Sequence, residues 1–423
     1  MTRRHAGRLG RGPVWGPATI SALCFIGATI VVCPVSSEPV GDTAKDAAYG
    51  LVPPFAAAAR RSVPVRLRPD SASPEVGLLH EGATVSVSAC APDCAAPHAW
   101  AIIGVDAAVS LEALALPRSA GSAAPAAPTP ETLWYGRVGK SGIKIFKEPR
   151  LDGPIVTRKR LSREMAFLPD VELRKNGWLE RAEGGFVRLR RVQILTPSRF
   201  QGELRPRLPI AFVVRELPGN DRASALHRYD RVSVGDIGSV RVTTDRGPVP
   251  RSALRIIAWH SPPRSLPPGA KWVLVDLSQQ TLTAYEGDIA VYATLISSGT
   301  NQEKSQTNAG LFQVEHKMAY SDMHGQLDDP YDVDRVPYTL YYHKNEALHG
   351  TYWHDRFGAR ASHGCVNLAL ADARWLFDWA PPQLPENWFA INPQEAGVTS
   401  LWVLVEEKAP LGPVTQISQA ALQ

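Results

Sequence analysis

The sequence predicts a mainly β, modular protein, and three observations carry that expectation. Short apolar stretches alternate with polar residues at period two through most of the chain. A stretch rich in Pro, Ala and Ser, residues 117–132, cannot build a core and reads as a linker. Only Ala369 to Trp379, with Leu370, Ala373, Leu376 and Phe377 at helical spacing, reads as a clear amphipathic helix. At 423 residues the chain exceeds what one core supports, so two to four domains are expected. Hydrophobic residues at 44% and charged residues at 21% match soluble globular material, which disfavours both a disordered chain and a multi-span membrane protein. The formal charge of +5 is small, and no Lys/Arg run is interleaved with aromatics, so no nucleic-acid partner is expected.

Residues 1–37 read as an export signal or a single N-terminal membrane anchor. Arg3, Arg4, Arg8 and Arg11 lead into a stretch free of charge up to Glu38, containing Ile20, Leu23, Phe25, Ile30 and Val32. About 18 apolar residues lie at the border between a cleaved signal and a retained span, so both outcomes stay open. Either one places the protein outside the cytoplasm, in the periplasm or cell envelope. Cys24 and Cys33 follow Leu23 and Val32, whereas a lipidated cysteine follows a small residue.

These two cysteines fall inside the export segment, and Cys90 and Cys94 are spaced so that an oxidising compartment can close them into a small disulfide loop. Cys365 is then left alone. An unpaired thiol in an exported protein is a liability unless it is used.

The β-type units follow in order. In residues 62–116, Val63, Val65 and Leu67 alternate with polar residues, then Val85 and Val87 after a Pro/Asp/Ser turn. This unit resembles a bacterial SH3-like small barrel through VRLRPDSASPEVGLLHEGATVSV. Residues 133–195 show strands at Ile143 to Phe146, at Trp178 and Leu179, and at Phe186 to Leu189, and resemble a second such barrel, so the two read as degenerate repeats. Residues 196–270 carry β-type runs of unassigned fold. Attachment to a surface or positioning of the C-terminal domain is the expected work of these modules, against the plainer reading that they are spacers. The catalytic domain is expected over 271–406, opening with three strands broken at Ser278-Gln279-Gln280 and Glu286-Gly287-Asp288 and closing with one at Trp402 to Val405, with a tail at 407–423.

Chemistry concentrates in that last domain. Six of the eleven histidines lie between His316 and His363, beside the lone Cys365. Its densest part is ALHGTYWHDRFGARASHGCVNL, with His349 sixteen positions before Cys365. A thiol in a strand-to-helix turn can be activated by the helix dipole and by an imidazole that takes its proton. Gly364 permits unusual dihedrals, and backbone N–H groups around Cys365 can then form an oxyanion hole. The pattern points to acyl transfer with cysteine as nucleophile and histidine as base and acid.

HG followed by SHGCVN resembles the signature of the L,D-transpeptidase family, also called the YkuD domain. VDLSQQTLTAYEGD resembles the family's first hairpin and NAGLFQV the strand after it; the resemblance covers about the last third of the chain. It implies a β-sandwich catalytic domain with a short helix after the nucleophile, Cys365 as nucleophile, His349 as base, and His363 as an orienting or structural histidine. Gly364 and Cys365 would donate to the oxyanion. Gly350 would position the imidazole, Asn367 would hold substrate or brace the turn, and Tyr338, Lys344 and Asn345 would line the substrate cleft. The implied partner is the peptidoglycan stem peptide, with D-alanine released and a thioester passed to an amine, giving a 3→3 crosslink or an anchored envelope protein. No cofactor is implied. The alternatives are a wall-binding protein that trims stems as an L,D-carboxypeptidase, or one with an inactive domain.

A plainer reading makes His354 a packing or surface residue, and His316, His324 and His343 ordinary ones. A zinc site is disfavoured because the two ligands of His-Gly-Cys rarely reach one metal and Cys-x-x-Cys pairs are missing. A papain-like peptidase is disfavoured because its cysteine precedes its histidine.

Overall fold

The computed structural model describes residues 53–115, 129–139, 142–159, 163–219, 225–326 and 329–407. The export segment, most of the Pro/Ala-rich linker and nearly all of the tail lie outside the described residues.

The C-terminal unit starts at Lys271, shortly after Pro267 and Pro268. β1 (Lys271–Asp276), β2 (Thr281–Glu286) and β3 (Ile289–Leu295) form an antiparallel meander. The turns fall at the two breaks in the sequence, where Gln280 and Gly287 take φ values of 56° and 60°. β4 (Gly310–Gln313) follows, then a long hairpin of β5 (His316–Gln326) and β6 (Asp329–His343). β7 (Glu346–Gly350), β8 (Val366–Leu368), α1 (Leu370–Trp379), β9 (Trp388–Ile391) and β10 (Trp402–Glu406) complete the unit.

These strands make two sheets. One runs β3-β2-β1-β10-β4 and the other β9-β5-β6-β7-β8. Val273, Val275 and Ala284 of the first share one core with Leu340, Leu348, Val366 and Leu368 of the second, capped by Leu376 and Phe377 of α1. The result is the β-sandwich with a short helix that the sequence implied. Two buried charges lock α1 in place. Asp372 accepts from Tyr292 Oη (2.6 Å), Thr294 Oγ1 (2.5 Å) and Gly202 N (2.8 Å). Lys317 Nζ donates to the carbonyls of Phe377 (2.6 Å), Ala380 (2.8 Å) and Pro382 (2.9 Å), so its three ammonium protons satisfy the negative end of the helix.

Three small β units precede this sandwich with one connectivity in common. In each, a first strand pairs with two later ones, the second of which follows a single 3-10 turn. In the first unit Phe55–Ala59 pairs with Thr84–Val87 and Leu114–Ala115. In the second, Trp134–Val138 pairs with Arg163–Phe167 and Gln193–Leu195. In the third, Ile210–Val213 pairs with Arg231–Ile237 and Leu254–Ile257. The turns are tied alike: Leu111 N donates to Ala99 O, Leu189 N to Gly177 O and Arg251 N to Val240 O, at 2.9 to 3.0 Å. Each turn lies two residues after a buried valine, Val109, Val187 or Val249. The first unit starts at Phe55, earlier than residue 62, because the run of alanines from 56 to 59 forms its first strand. The Cys90–Cys94 disulfide is closed.

All three units dock on the sandwich. The first extends its second sheet: Glu75–Leu79 pairs with β9, and Gly77 lies so close that a Cβ would meet Ala390 O at 2.5 Å. The second unit meets the β5/β6 hairpin through buried charges. Arg163 pairs with Asp332 and Asp334, Arg181 with Asp334 (3.1 Å), and Arg335 with Glu183 (2.5 Å). The third unit grips the segment between β7 and β8: Tyr229 Oη donates to Asp355 Oδ1 (2.8 Å), and Arg255 Nε to Gly358 O (2.7 Å).

Asp334 is fully buried between two arginines, so Asp334→Ala takes the carboxylate from Arg181 and leaves Arg163 with Asp332 alone. We expect a loss of about 3–5 kcal/mol by urea unfolding. Removing the exposed Arg150 side chain, paired with Glu148 at 2.7 Å, should change stability by less than about 0.5 kcal/mol.

Candidate active site

The site is built on a short ladder of the second sheet. β7 and β8 run parallel with Leu348 opposite Val366, His349 opposite Asn367 and Gly350 opposite Leu368. Side chains alternate along a strand, and Leu348, Val366 and Leu368 belong to the sandwich core. His349 and Asn367 therefore face the other way, together with Ala347 and Cys365, which share a separate apolar cluster. Strand spacing and rise place the Cα atoms of Cys365 and His349 about 8 Å apart across the ladder, within reach of two side chains on one face.

The turn that delivers Cys365 is held by hydroxyls. Ser362 Oγ donates to Cys365 O (2.5 Å) and accepts from Gly364 N (3.2 Å). Thr307 Oγ1 donates to Gly364 O (2.7 Å) and accepts from Gly299 N (2.8 Å). Gly364 takes φ +126°, a conformation that disfavours any side chain. Asn367 is clamped on its other side by Ser297, with reciprocal backbone bonds of 2.9 Å.

His349 is buried, and its Nδ1 lies 3.1 Å from Gly350 O. A carbonyl only accepts, so Nδ1 carries the proton and Nε2 keeps its lone pair as a base. Burial lowers the pKa of His349 to about 4, a shift only partly opposed by the bond to Gly350 O. The Cys365 thiol donates to Asn345 O (3.6 Å). Burial drives its pKa up to about 12, opposed by a bond from the Ala347 backbone and assisted by the nearby Glu346 carboxylate. Both shifts favour the uncharged forms, a thiol and a neutral imidazole, at pH 7.

This corrects the expectation that a helix dipole activates the thiol. β8 and Ala369 stand between Cys365 and the first residue of α1, and the dipole fades within a turn. Gly364 does not offer a free oxyanion donor in this state, since its N–H is held by Ser362. Tyr338 does not line the cleft. Its ring packs on Phe377 in the sandwich core and its hydroxyl bonds Glu131.

The other expected residues are placed as follows. Gly350 serves the base through its carbonyl, while Leu370 and Pro337 fill the space around its Cα. Lys344 and Asn345 form the exposed turn between β6 and β7, and Asn345 meets the thiol through its backbone. His363 is exposed and packs against Tyr331 of β6, with ring centroids 4.7 Å apart.

Sequence reasoning gave no role in the chemistry to three neighbours. Glu346, bonded by Asn308 and by Tyr342 Oη (3.1 Å), has its pKa raised by burial and acts electrostatically on the thiol. Trp353 lies against the His349 ring at 5.8 Å between centroids. His354, read as packing, places Nε2 2.8 Å from the Asn367 amide. Alternation along β7 could have flagged Trp353 and His354 only as a continuation of the base strand; nothing in the sequence flags Glu346.

The second unit closes the site from one side. Tyr135 stacks on Tyr352 at 3.9 Å, and Arg137 Nη2 donates to Trp353 O (2.9 Å). Leu133, Tyr135 and Ala166 share the apolar cluster that includes Cys365.

Residues 270–392 match the family model described as the L,D-transpeptidase catalytic domain, YkuD. The chain is similar to a putative L,D-transpeptidase of Bacillus subtilis, YciB, with 28% identity over 173 residues, spanning 37% of this chain and 84% of that protein. Among solved structures it is similar to an Enterococcus faecium L,D-transpeptidase mutant at 23% identity, covering 33% of this chain and half of that one, with a TM-score of 0.26. A Xylanimonas cellulosilytica L,D-transpeptidase shares 27% identity, over 35% of this chain and 65% of that one, also with a TM-score of 0.26.

The neutral thiol has a direct consequence. Cys365 has its pKa raised, so the thiolate fraction of the substrate-free protein stays small at neutral pH and grows as pH rises toward the shifted value of about 12. Iodoacetamide alkylation of Cys365 should therefore accelerate with pH with no plateau below about pH 9, above the reference thiol value of about 8.5. A midpoint below pH 7 would contradict the burial argument.

Proposed function

We propose, from the premise that residues 270–392 are a YkuD-type L,D-transpeptidase catalytic domain, that the protein remodels peptidoglycan stem peptides through a thioester on Cys365. The observation that carries this reading is the shared face of β7 and β8, which brings His349 with a free Nε2 to the same side as Cys365.

The steps follow from the tautomer. As the substrate amide enters, His349 Nε2 takes the thiol proton while sulfur attacks the carbonyl carbon, so charge moves to the carbonyl oxygen rather than resting on sulfur. The tetrahedral species collapses, the C–N bond breaks, and the imidazolium returns its proton to the departing amine of D-alanine. The thioester is then attacked by an amine, whose proton passes to His349 and from there to sulfur as the C–S bond breaks, restoring the thiol and the neutral imidazole. A stem side-chain amine gives a 3→3 crosslink and an envelope-protein lysine gives an anchored protein. The Nδ1–H bond to Gly350 O persists throughout and stabilises the positive imidazolium.

The docked units support a positioning role for the N-terminal modules, since the second and third units touch the segment between base and nucleophile directly. Export to the periplasm or envelope fits a wall substrate.

Incubating the purified protein with tetrapeptide-stem muropeptides should release D-alanine and give a crosslinked dimer by mass spectrometry. Cys365→Ala should abolish both, and His349→Ala should reduce turnover by about 10²–10⁴-fold. Unchanged product formation in Cys365→Ala would overturn the reading.

A further inference from the structure

We propose that His354 is a positioning residue that fixes the orientation of the Asn367 amide, so that Asn367 turns its NH2 group into the groove as a donor to a carbonyl oxygen of the bound acyl donor. The inference rests on the acyl-transfer reading and extends it to two residues outside the Cys–His pair.

The argument is one of protons. His354 Nδ1 accepts from the backbone N–H of Arg356 at 3.2 Å. That donor belongs to the main chain and cannot be exchanged for an acceptor, so Nδ1 holds a lone pair. Burial lowers the pKa of His354 to about 4, assisted by the nearby charge of Arg356, so the ring is neutral at pH 7. Its single proton is then on Nε2. The atom placed 2.8 Å from that nitrogen is Asn367 Nδ2. Two N–H groups facing each other at this distance repel, and the two ends of an amide are assigned from their hydrogen bonds, so the amide is turned over and presents its oxygen to His354. The NH2 group then faces the opposite way.

The oxygen and NH2 ends of an amide are nearly equal in shape, so packing alone does not choose between them. Here the choice is made by His354, because the rest of Asn367 is already fixed. Its backbone is paired with β7 on one side and Ser297 on the other. The side chain is buried and stands on the face of His349 and Cys365. A side-chain donor there would take the place of the Gly364 N–H, which is engaged by Ser362.

His354 is itself held from outside the sandwich. Asp355 is bonded by Tyr229 and by Arg228 Nη2 (2.6 Å to its carbonyl), and Gly358 by Arg255. Gly358, at φ +88°, lies so close to the third unit that a Cβ would meet Val214 at 2.5 Å. The third unit thus reaches the reaction through His354 and Asn367.

The test has two arms on the full chain. Long-range ¹⁵N–¹H NMR at pH 7 should show His354 as the Nε2–H tautomer; the Nδ1–H tautomer or the imidazolium would overturn the orientation argument, whatever the activity. The second arm follows Cys365 acylation by a tetrapeptide stem using intact-protein mass spectrometry. Asn367→Asp keeps an acceptor for His354 but loses the donor, and should slow the acylation rate constant about 10²–10³-fold. His354→Ala should slow it about tenfold or more, and His354→Gln, which keeps an N–H donor, should restore it to within about threefold. Adding His354→Ala to Asn367→Asp should cost nothing further. Iodoacetamide alkylation of Cys365 should be unchanged throughout, which separates positioning from misfolding. Multiplicative losses in the double variant, or no rescue by His354→Gln, would overturn the proposal. If the wild-type chain forms no thioester at all, the acyl-transfer reading itself falls and the NMR arm still judges the orientation.

Discussion

A parallel ladder of three residue pairs between β7 and β8 determines what this molecule can do. Because side chains alternate along a strand, one register puts Leu348, Val366 and Leu368 into the sandwich core and leaves His349, Asn367 and Cys365 together on the outer face. A slip of one residue would turn His349 into the sandwich core and turn Leu348, Val366 and Leu368 out of it. The register is secured by the reciprocal bonds of Ser297 with Asn367 and by α1, whose Asp372 and the neighbouring Lys317 are bound by buried donors and carbonyls. Catalytic geometry and core packing are thus the same constraint.

Burial gives the site its electrostatic character. The partly buried thiol lies among Ala347, Tyr341 and residues of the second unit, away from any helix N-terminus, and this packing favours its protonated form. In the proposed reaction His349 acts as the base, and the Gly350 carbonyl holds its one proton on Nδ1. Water exclusion, which raises the cost of charge in the resting state, also strengthens each donor aimed at the oxyanion once it forms. The N-terminal units contribute to this enclosure: Tyr135 and Arg137 from the second, and Tyr229 and Arg255 from the third, reach residues between His349 and Cys365.

Much of the fold was legible in the sequence where local pattern and environment agree. The meander of β1 to β3, the helix after the nucleophile strand and the closing β10 all follow from periodicity and turn residues. The β5/β6 hairpin was not legible. Its strand β6 contains Pro330, Asp332, Asp334 and Pro337, and Arg335 and Tyr338 take positive φ, features that locally read as loop. Those aspartates are buried in a strand only because Arg163 and Arg181 come from a distant unit, a long-range pairing that no local window contains. The three-fold connectivity of the N-terminal units was half visible, since Val109, Val187 and Val249 precede turns of unrelated sequence. In the site, Cys365 and His349 stood out by residue type and spacing, while Tyr338 misled because its neighbourhood in sequence is not its neighbourhood in space. His354 gained a role only through the tautomer that Arg356 N–H dictates.

Neutron diffraction from the substrate-free protein, exchanged into D2O at neutral pH, tests the resting state most directly. The account predicts deuterium on Cys365 Sγ and on His349 Nδ1 alone, with Nε2 bare and facing the sulfur. A bare sulfur beside an imidazole deuterated on both nitrogens would contradict it.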